Sequence, residues 1–126
     1  MLKAIILVGI GGGAGSILRF LTSHMVARHF DKPFPLPTFI VNMLGCLAMG
    51  LLIGAIERHL PMNNDLRNLL LAGFCGGYTT FSAFAYENTS LLQSQQYLTL
   101  ISYIALSVIS GIALLWLGLS LTRQTI

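Results

Sequence analysis

Asn42, Thr79, Thr80, Ser82, Tyr103, Ser107 and Ser110 lie inside stretches that contain no Asp, Glu, Lys or Arg. Each brings a hydrogen-bond donor, and no carboxylate lies among them. Donors without acidic groups suit an anion better than a cation. Phe81 and Phe84 are three apart and share a helix face, and aromatic rings present positive edges that can also meet an anion. Tyr103 and Ser107 are four apart and line one face of their own helix. For any single hydroxyl the plainer reading is a bond to its own helix backbone, and for the two phenylalanines it is ordinary packing. The set as a whole points to a ligand path.

The string GFCGGYTTFSAFAYE, residues 73–87, concentrates residues that weaken a helix. Glycine costs about 1 kcal/mol relative to alanine in a helix interior, and β-branched threonine loses rotamer freedom there. The midpoint between the flanking charges Arg67 and Glu87 is residue 77, so the pair Gly76-Gly77 falls mid-span. This predicts a helix broken at 76–80. Non-helical backbone at membrane depth survives only when buried in protein or lining a watery path. Its carbonyl end favours a cation, its amide end an anion.

The elements that carry these residues follow from the charge spacing. The chain has 126 residues, of which 55% are hydrophobic and only 9% charged. Soluble domains carry about 25% charge. The ranges 38–56, 68–86 and 97–122 hold no charge, and a span needs roughly 20 apolar residues. A first span is interrupted by Arg19 but stays periodic to Val26. The N-terminus resembles a signal peptide in having Lys3, an apolar stretch and small residues up to Ser16. The apolar pattern runs past those small residues, which favours a span. The expectation is an all-α membrane protein with four transmembrane helices at about 3–28, 37–58, 66–92 and 96–122 and no soluble domain, placed in the cell (inner or plasma) membrane. The connections are 28–37, 57–67 and about 90–96.

Other motifs lead nowhere. GIGGGAG, residues 9–15, satisfies a dinucleotide-binding fingerprint with Asp31 downstream, but no repeated βαβ pattern surrounds it. Gly9/Gly13, Gly11/Gly15, Gly50/Gly54 and Gly73/Gly77 read instead as small-xxx-small pairs for close helix packing. His24, His29 and His59 lack metal-ligand spacing, and Cys46 and Cys75 form no CxxC. No nucleophile-base or carboxylate pair suggests an enzyme. The net charge of +3 is scattered over span ends, which gives no reason to invoke nucleic acid.

Four short helices enclose too little to wall a pore, so a dimer is expected. Lys3, Arg58, Arg67 and Arg123 would share one side, with Arg28 and Lys32 on the other, and the excess is small under the positive-inside rule. A chain with so little bias could insert both ways, which makes the partner antiparallel.

GGGAGSILR (11–19), VNMLGC (41–46), GFCGGYTTFSAFAYE (73–87) and the ladder Tyr103/Ser107/Gly111 resemble the Fluc (CrcB) family of small fluoride channels. The resemblance covers all four spans. It implies a dual-topology antiparallel homodimer with two fluoride pores, a passive route that limits fluoride toxicity. It implies that Phe81 and Phe84 face the ion and that Asn42 is the pore asparagine. Thr79, Thr80 and Ser82 would lie along the path, Tyr103, Ser107 and Ser110 would form a polar track, and Arg19 would sit near the vestibule. It also implies a structural sodium ion at the dimer centre, held by backbone carbonyls at Gly77 and Thr80. Glu87 receives no role from this reading, beyond a pairing with Arg19 or a loop cation.

Two rivals remain at this stage. A small dual-topology drug or cation exporter would need a mid-membrane carboxylate to couple protons to its substrate, and Glu57 and Glu87 sit toward span ends. A scaffold protein would use its small residues for packing only. The weak charge bias carries its own test: a reporter fused to the C-terminus is expected to read out on both sides of the membrane. Signal from one side alone would exclude dual insertion.

Overall fold

The computed structural model describes residues 1–59 and 63–124 and is all-helical among them. Helix α1 is Leu2–His29 and α2 is Leu36–His59. Helix α3 covers residues 64–78 in three continuous pieces: a turn Asn64–Leu66, a π-helix Arg67–Cys75 and a turn Gly76–Tyr78. Helix α4 is Phe81–Gln93 and α5 is Tyr97–Gln124. Residues 60–62 of the 57–67 connection lie outside the described residues. Taking α3 and α4 as one interrupted span, four segments are long and apolar enough to cross a membrane.

The helices pack as two intimate pairs, α1 on α3 and α2 on α5, which meet where α2 lies against both α1 and α3. Glycine makes the pairs possible. In a bilayer, helices gain little by burying leucine, so interfaces select small residues that let backbones approach. A side chain at Gly11 would strike the backbone of Leu69, and one at Gly15 that of Phe74. Gly73 and Gly77 return the contact onto α1 at Gly11 and Gly12. In the other pair, a Cβ at Gly50 would meet the Leu115 carbonyl, and one at Gly118 would lie 2.7 Å from the Leu47 oxygen. Three of the four expected small-residue pairs therefore pack within the chain. Gly9 and Gly13 do not: they face open space on the outer side of α1.

Large apolar side chains are left outside. Ile17, Phe20, Leu98, Ile109 and Trp116 are exposed, while among the described residues the fully covered side chains are few, with Tyr103, Val41 and Cys75 the largest. This inverted pattern is what lipid-facing helices require.

The break in the third span sits at Thr79–Thr80, the C-terminal end of the expected 76–80. Both residues are extended (φ −80, ψ 158 and φ −147, ψ 119). Gly76 and Gly77 stay helical. Gly77 is there for contact with Gly12, not for flexibility. The π-helix upstream bonds i to i+5, a geometry rare beyond single turns and frequent near functional sites. Its last register is visible where the Gly76 amide donates to the Leu71 carbonyl as well as to Gly73.

One end of the molecule is tied by Lys3–Asp65 (2.6 Å) and Arg123–Glu57 (2.8 Å), both solvent-exposed pairs that contribute about 0–1 kcal/mol. The α4–α5 turn closes with Gln96 N–H on Leu91 O (2.9 Å) and Gln95 N–H on Leu92 O (3.1 Å), a Schellman-type cap with Gln95 left-handed at φ 58. Gly15→Val drives methyl groups into the α3 backbone and is expected to cost about 1–3 kcal/mol of stability, read as a lowered midpoint of thermal unfolding in detergent. Gly13→Ala, with nothing within 4 Å, is expected to leave the fold of the single chain unchanged.

Candidate functional site

A backbone that leaves the helix must find new partners for its N–H and C=O groups. At the break, α2 supplies them through one side chain. Asn42 donates Nδ2 to the Thr80 carbonyl (3.0 Å) and accepts the Thr80 amide on Oδ1 (2.8 Å). The primary amide thus pairs with both backbone polar groups of Thr80, as a strand neighbour would. Thr80 also caps α4: its hydroxyl accepts the Ala83 amide at 3.2 Å and lies 3.3 Å from the Ser82 hydroxyl. Thr79 donates its hydroxyl back to the Cys75 carbonyl (2.9 Å), while its methyl presses on Gly45. From α1, Arg19 Nη1 donates to the Thr79 carbonyl at 3.3 Å and Ser16 Oγ to the Gly77 carbonyl at 3.4 Å.

Beside the break lies a cavity of about 340 Å³. Asn42, Thr79, Thr80, Phe81, Phe84 and Ser107 line it, with Gly45, Cys46 and other small or apolar groups. Among the described residues, no acidic or basic side chain belongs to this lining. The amide end of α4 opens here, and a helix N-terminus carries about half a positive charge. The cavity wall is incomplete: Phe81 is 79% exposed, though its ring sits 5.8 Å from that of Phe84.

The rings continue inward. Phe84 meets Tyr103 edge-on at 5.0 Å, Tyr103 meets Phe34 at 5.3 Å, and Phe34 meets Phe39 at 5.5 Å. Tyr103 is completely buried and its hydroxyl donates to Glu87 Oε2 at 3.5 Å. The other carboxylate oxygen accepts the Thr38 hydroxyl at 2.5 Å. Glu87 is therefore held by two hydroxyls from α2 and α5, and among the described residues neither Arg19 nor a loop cation pairs with it. Thr38 was not singled out from sequence. Its signal was available: Thr38 lies two residues into α2, at the end of the molecule where α4 and α5 meet, so Thr38, Glu87 and Tyr103 share a depth.

The structure brings Asn42, Thr79, Thr80, Phe81, Phe84 and Ser107 to one cavity, with Ser82 next to Thr80. Tyr103 sits behind Phe84. Ser110 lies apart, in a second recess formed with Phe39, Met43 and Leu114. Arg19 approaches the break from α1, and Gly77 lies on α3 against Gly12 of α1. Among the described residues, no three His, Cys, Asp or Glu side chains gather to hold a metal.

Four segments long and apolar enough to cross a bilayer make this a multi-pass membrane protein, and hydroxyls and an amide line the cavity beside its broken span. The family described as CrcB-like protein, Camphor Resistance (CrcB), matches residues 6–119, and the chain belongs to that family. Among its relatives is a protein of Azobacteroides pseudotrichonymphae, 47% identical over 123 residues that make up 98% of each chain. Others come from Flavobacterium psychrophilum, 43% identical with 98% and 99% covered, and Nitratidesulfovibrio vulgaris, 43% identical with 97% and 98% covered. All three are named fluoride-specific ion channel FluC.

Asn42→Ala removes both partners of the Thr80 peptide. Leaving a buried donor and acceptor unmade costs about 1–3 kcal/mol. The expected result is a lower unfolding midpoint and faster amide exchange at Thr80, measured together in detergent.

Proposed function

We propose that the protein is a passive fluoride channel that lets the ion leave the cytoplasm and so limits its toxicity. The observation that carries this reading is the break at Thr79–Thr80. It turns the amide end of α4 toward a cavity whose lining has donors and ring edges and no acidic or basic group. The names of the full-length relatives support fluoride as the ion.

Fluoride is small and holds its water tightly, so a pore must replace that shell at close range. The Ser82 and Ser107 hydroxyls and the edges of Phe81 and Phe84 can do this without a fixed charge that would trap the ion. Asn42 and Thr80 shape the wall, since their polar atoms already bond to each other. Past Phe84, the hydroxyls of Tyr103 and Thr38 around Glu87 continue the polar groups toward the α2 N-terminal end. Ser110, in its separate recess, stands off this track.

The working unit in this proposal is an antiparallel homodimer with two pores. The exposure of Phe81 supports a second chain, because a ring meant to face an ion needs a second wall. A structural sodium ion would lie at the dimer centre. The carbonyls of Gly77 and Thr80 suit a hard cation: each takes one hydrogen bond, from Ser16 and Asn42, and a carbonyl oxygen has a second lone pair. The negative end of α3 also favours a cation there. Sodium would neutralise those dipoles and hold the two chains together.

The cation exporter is not favoured, because the cavity lining lacks the carboxylate it needs. Purified protein in liposomes is expected to release fluoride rapidly, read by a fluoride electrode, with negligible chloride release. Phe81→Ile is expected to lower the fluoride rate about tenfold, or roughly 1.4 kcal/mol, with the dimer intact by size-exclusion chromatography. Dimer-containing liposomes that retain fluoride would refute the channel reading.

A further inference from the structure

Arg19 is a cation inside a membrane span, and none of the ion pairs among the described residues includes it. An intramembrane charge calls for a partner. The one it has is the Thr79 carbonyl, at the end of α3, where unpaired carbonyls give a helix its negative pole. Two neighbours on the same face of α1, three residues away on either side, reach the same short segment. Ser16 donates to the Gly77 carbonyl (3.4 Å). Thr22 accepts the Tyr78 hydroxyl (3.3 Å), and its own proton is committed to the Leu18 carbonyl (2.9 Å), which leaves the oxygen free to accept. Residues 77, 78 and 79 are thus each held by one member of the row 16, 19, 22.

We infer that Ser16, Arg19 and Thr22 are positioning residues: they hold the last turn of α3 so that the chain leaves the helix at Thr79, and Arg19 acts through the Thr79 carbonyl, not on the ion. The inference rests on the channel reading. The geometry shows how hold and path are joined. Thr79, Thr80 and Phe81 follow within three residues, and all three line the cavity. A peptide rotation at 78–79 re-aims the Thr80 peptide against Asn42 and turns the start of α4, with Phe81 on it. The glycine seam sets the distance, because Gly12 and Gly15 bring α1 against Gly77 and the Tyr78 amide. Tyr78 is itself buried and stacked on Phe74 (6.2 Å, 3°), so its hydroxyl has little freedom to seek another partner.

The rival assignment is that Arg19 draws the anion by its charge. Two variants and two readouts separate them. Arg19→Leu removes the cation and its hydrogen bond, while Tyr78→Phe removes one oxygen from the row, alters no charge and keeps the packed ring. Fluoride and chloride efflux from liposomes are measured beside amide hydrogen exchange of the segment 77–84 by mass spectrometry. The positioning role predicts faster exchange in both variants. It predicts fluoride efflux down about tenfold in Arg19→Leu and about threefold in Tyr78→Phe, as expected for one charge-assisted and one neutral hydrogen bond. It also predicts a reduced fluoride-to-chloride ratio.

Lost flux in Arg19→Leu with unchanged exchange would assign Arg19 to the ion and overturn the inference. Faster exchange with unchanged flux and selectivity would overturn it too, leaving the row a device of folding. If Arg19→Leu does not fold, Tyr78→Phe decides alone by the same two readouts. Wild-type protein that releases no fluoride would sink the channel reading instead, a result distinct from these.

Discussion

A peptide backbone that leaves the helix inside a membrane has no water to bond to, and this requirement organises the molecule. The third span turns extended at Thr79–Thr80. Its freed groups are met from two sides. Asn42 of α2 takes both polar atoms of Thr80, and Arg19 and Ser16 of α1 take the Thr79 and Gly77 carbonyls. Short side chains reach only if the helices lie close. The glycines at 11, 15, 73 and 77 provide that closeness, so the packing seam and the break are parts of one solution.

The same interruption creates the polarity of the site. One helix is split into two shorter ones, and each new end carries a partial charge. The carbonyl end of α3 faces the α1 cation. The amide end of α4, capped by Thr80, faces the cavity with Phe81 and Phe84. Opposite signs stand a few residues apart without any acidic group at that depth. Farther along, Glu87 is kept by the hydroxyls of Thr38 and Tyr103, which joins α2, α4 and α5 where direct α4–α5 packing is thin.

Much of this was legible in the chain. Charge-free stretches located the four spans, because a charge in lipid is costly unless a partner compensates it, so most charges stay at span ends. The concentration of Gly and Thr in 73–87 announced a break, and the polar set Asn42, Thr79, Thr80 and Ser107 converges as its placement suggested. The break falls at the far end of the expected 76–80, past the glycine pair itself. Glycine serves two purposes, freedom and closeness, and only the neighbour Gly12 shows that Gly77 serves the second. For Glu87 the chain offered only a shared depth with Thr38 and Tyr103; that these two become its partners, 49 and 16 residues away along the chain in two other helices, depends on packing.

The sequence by itself thus determined the solvent of this protein, the number of its spans and the class of residue turned inward. These follow from transfer energies that each residue carries wherever it sits. Tertiary structure alone decided which carbonyl meets Arg19, which peptide Asn42 clasps, that Tyr103 stands behind Phe84, and that Gly9 and Gly13 face outward. Those outcomes depend on helix rotation and spacing of a few ångströms, and hydrogen bonds and ring contacts are short-ranged enough that such small differences choose the partner.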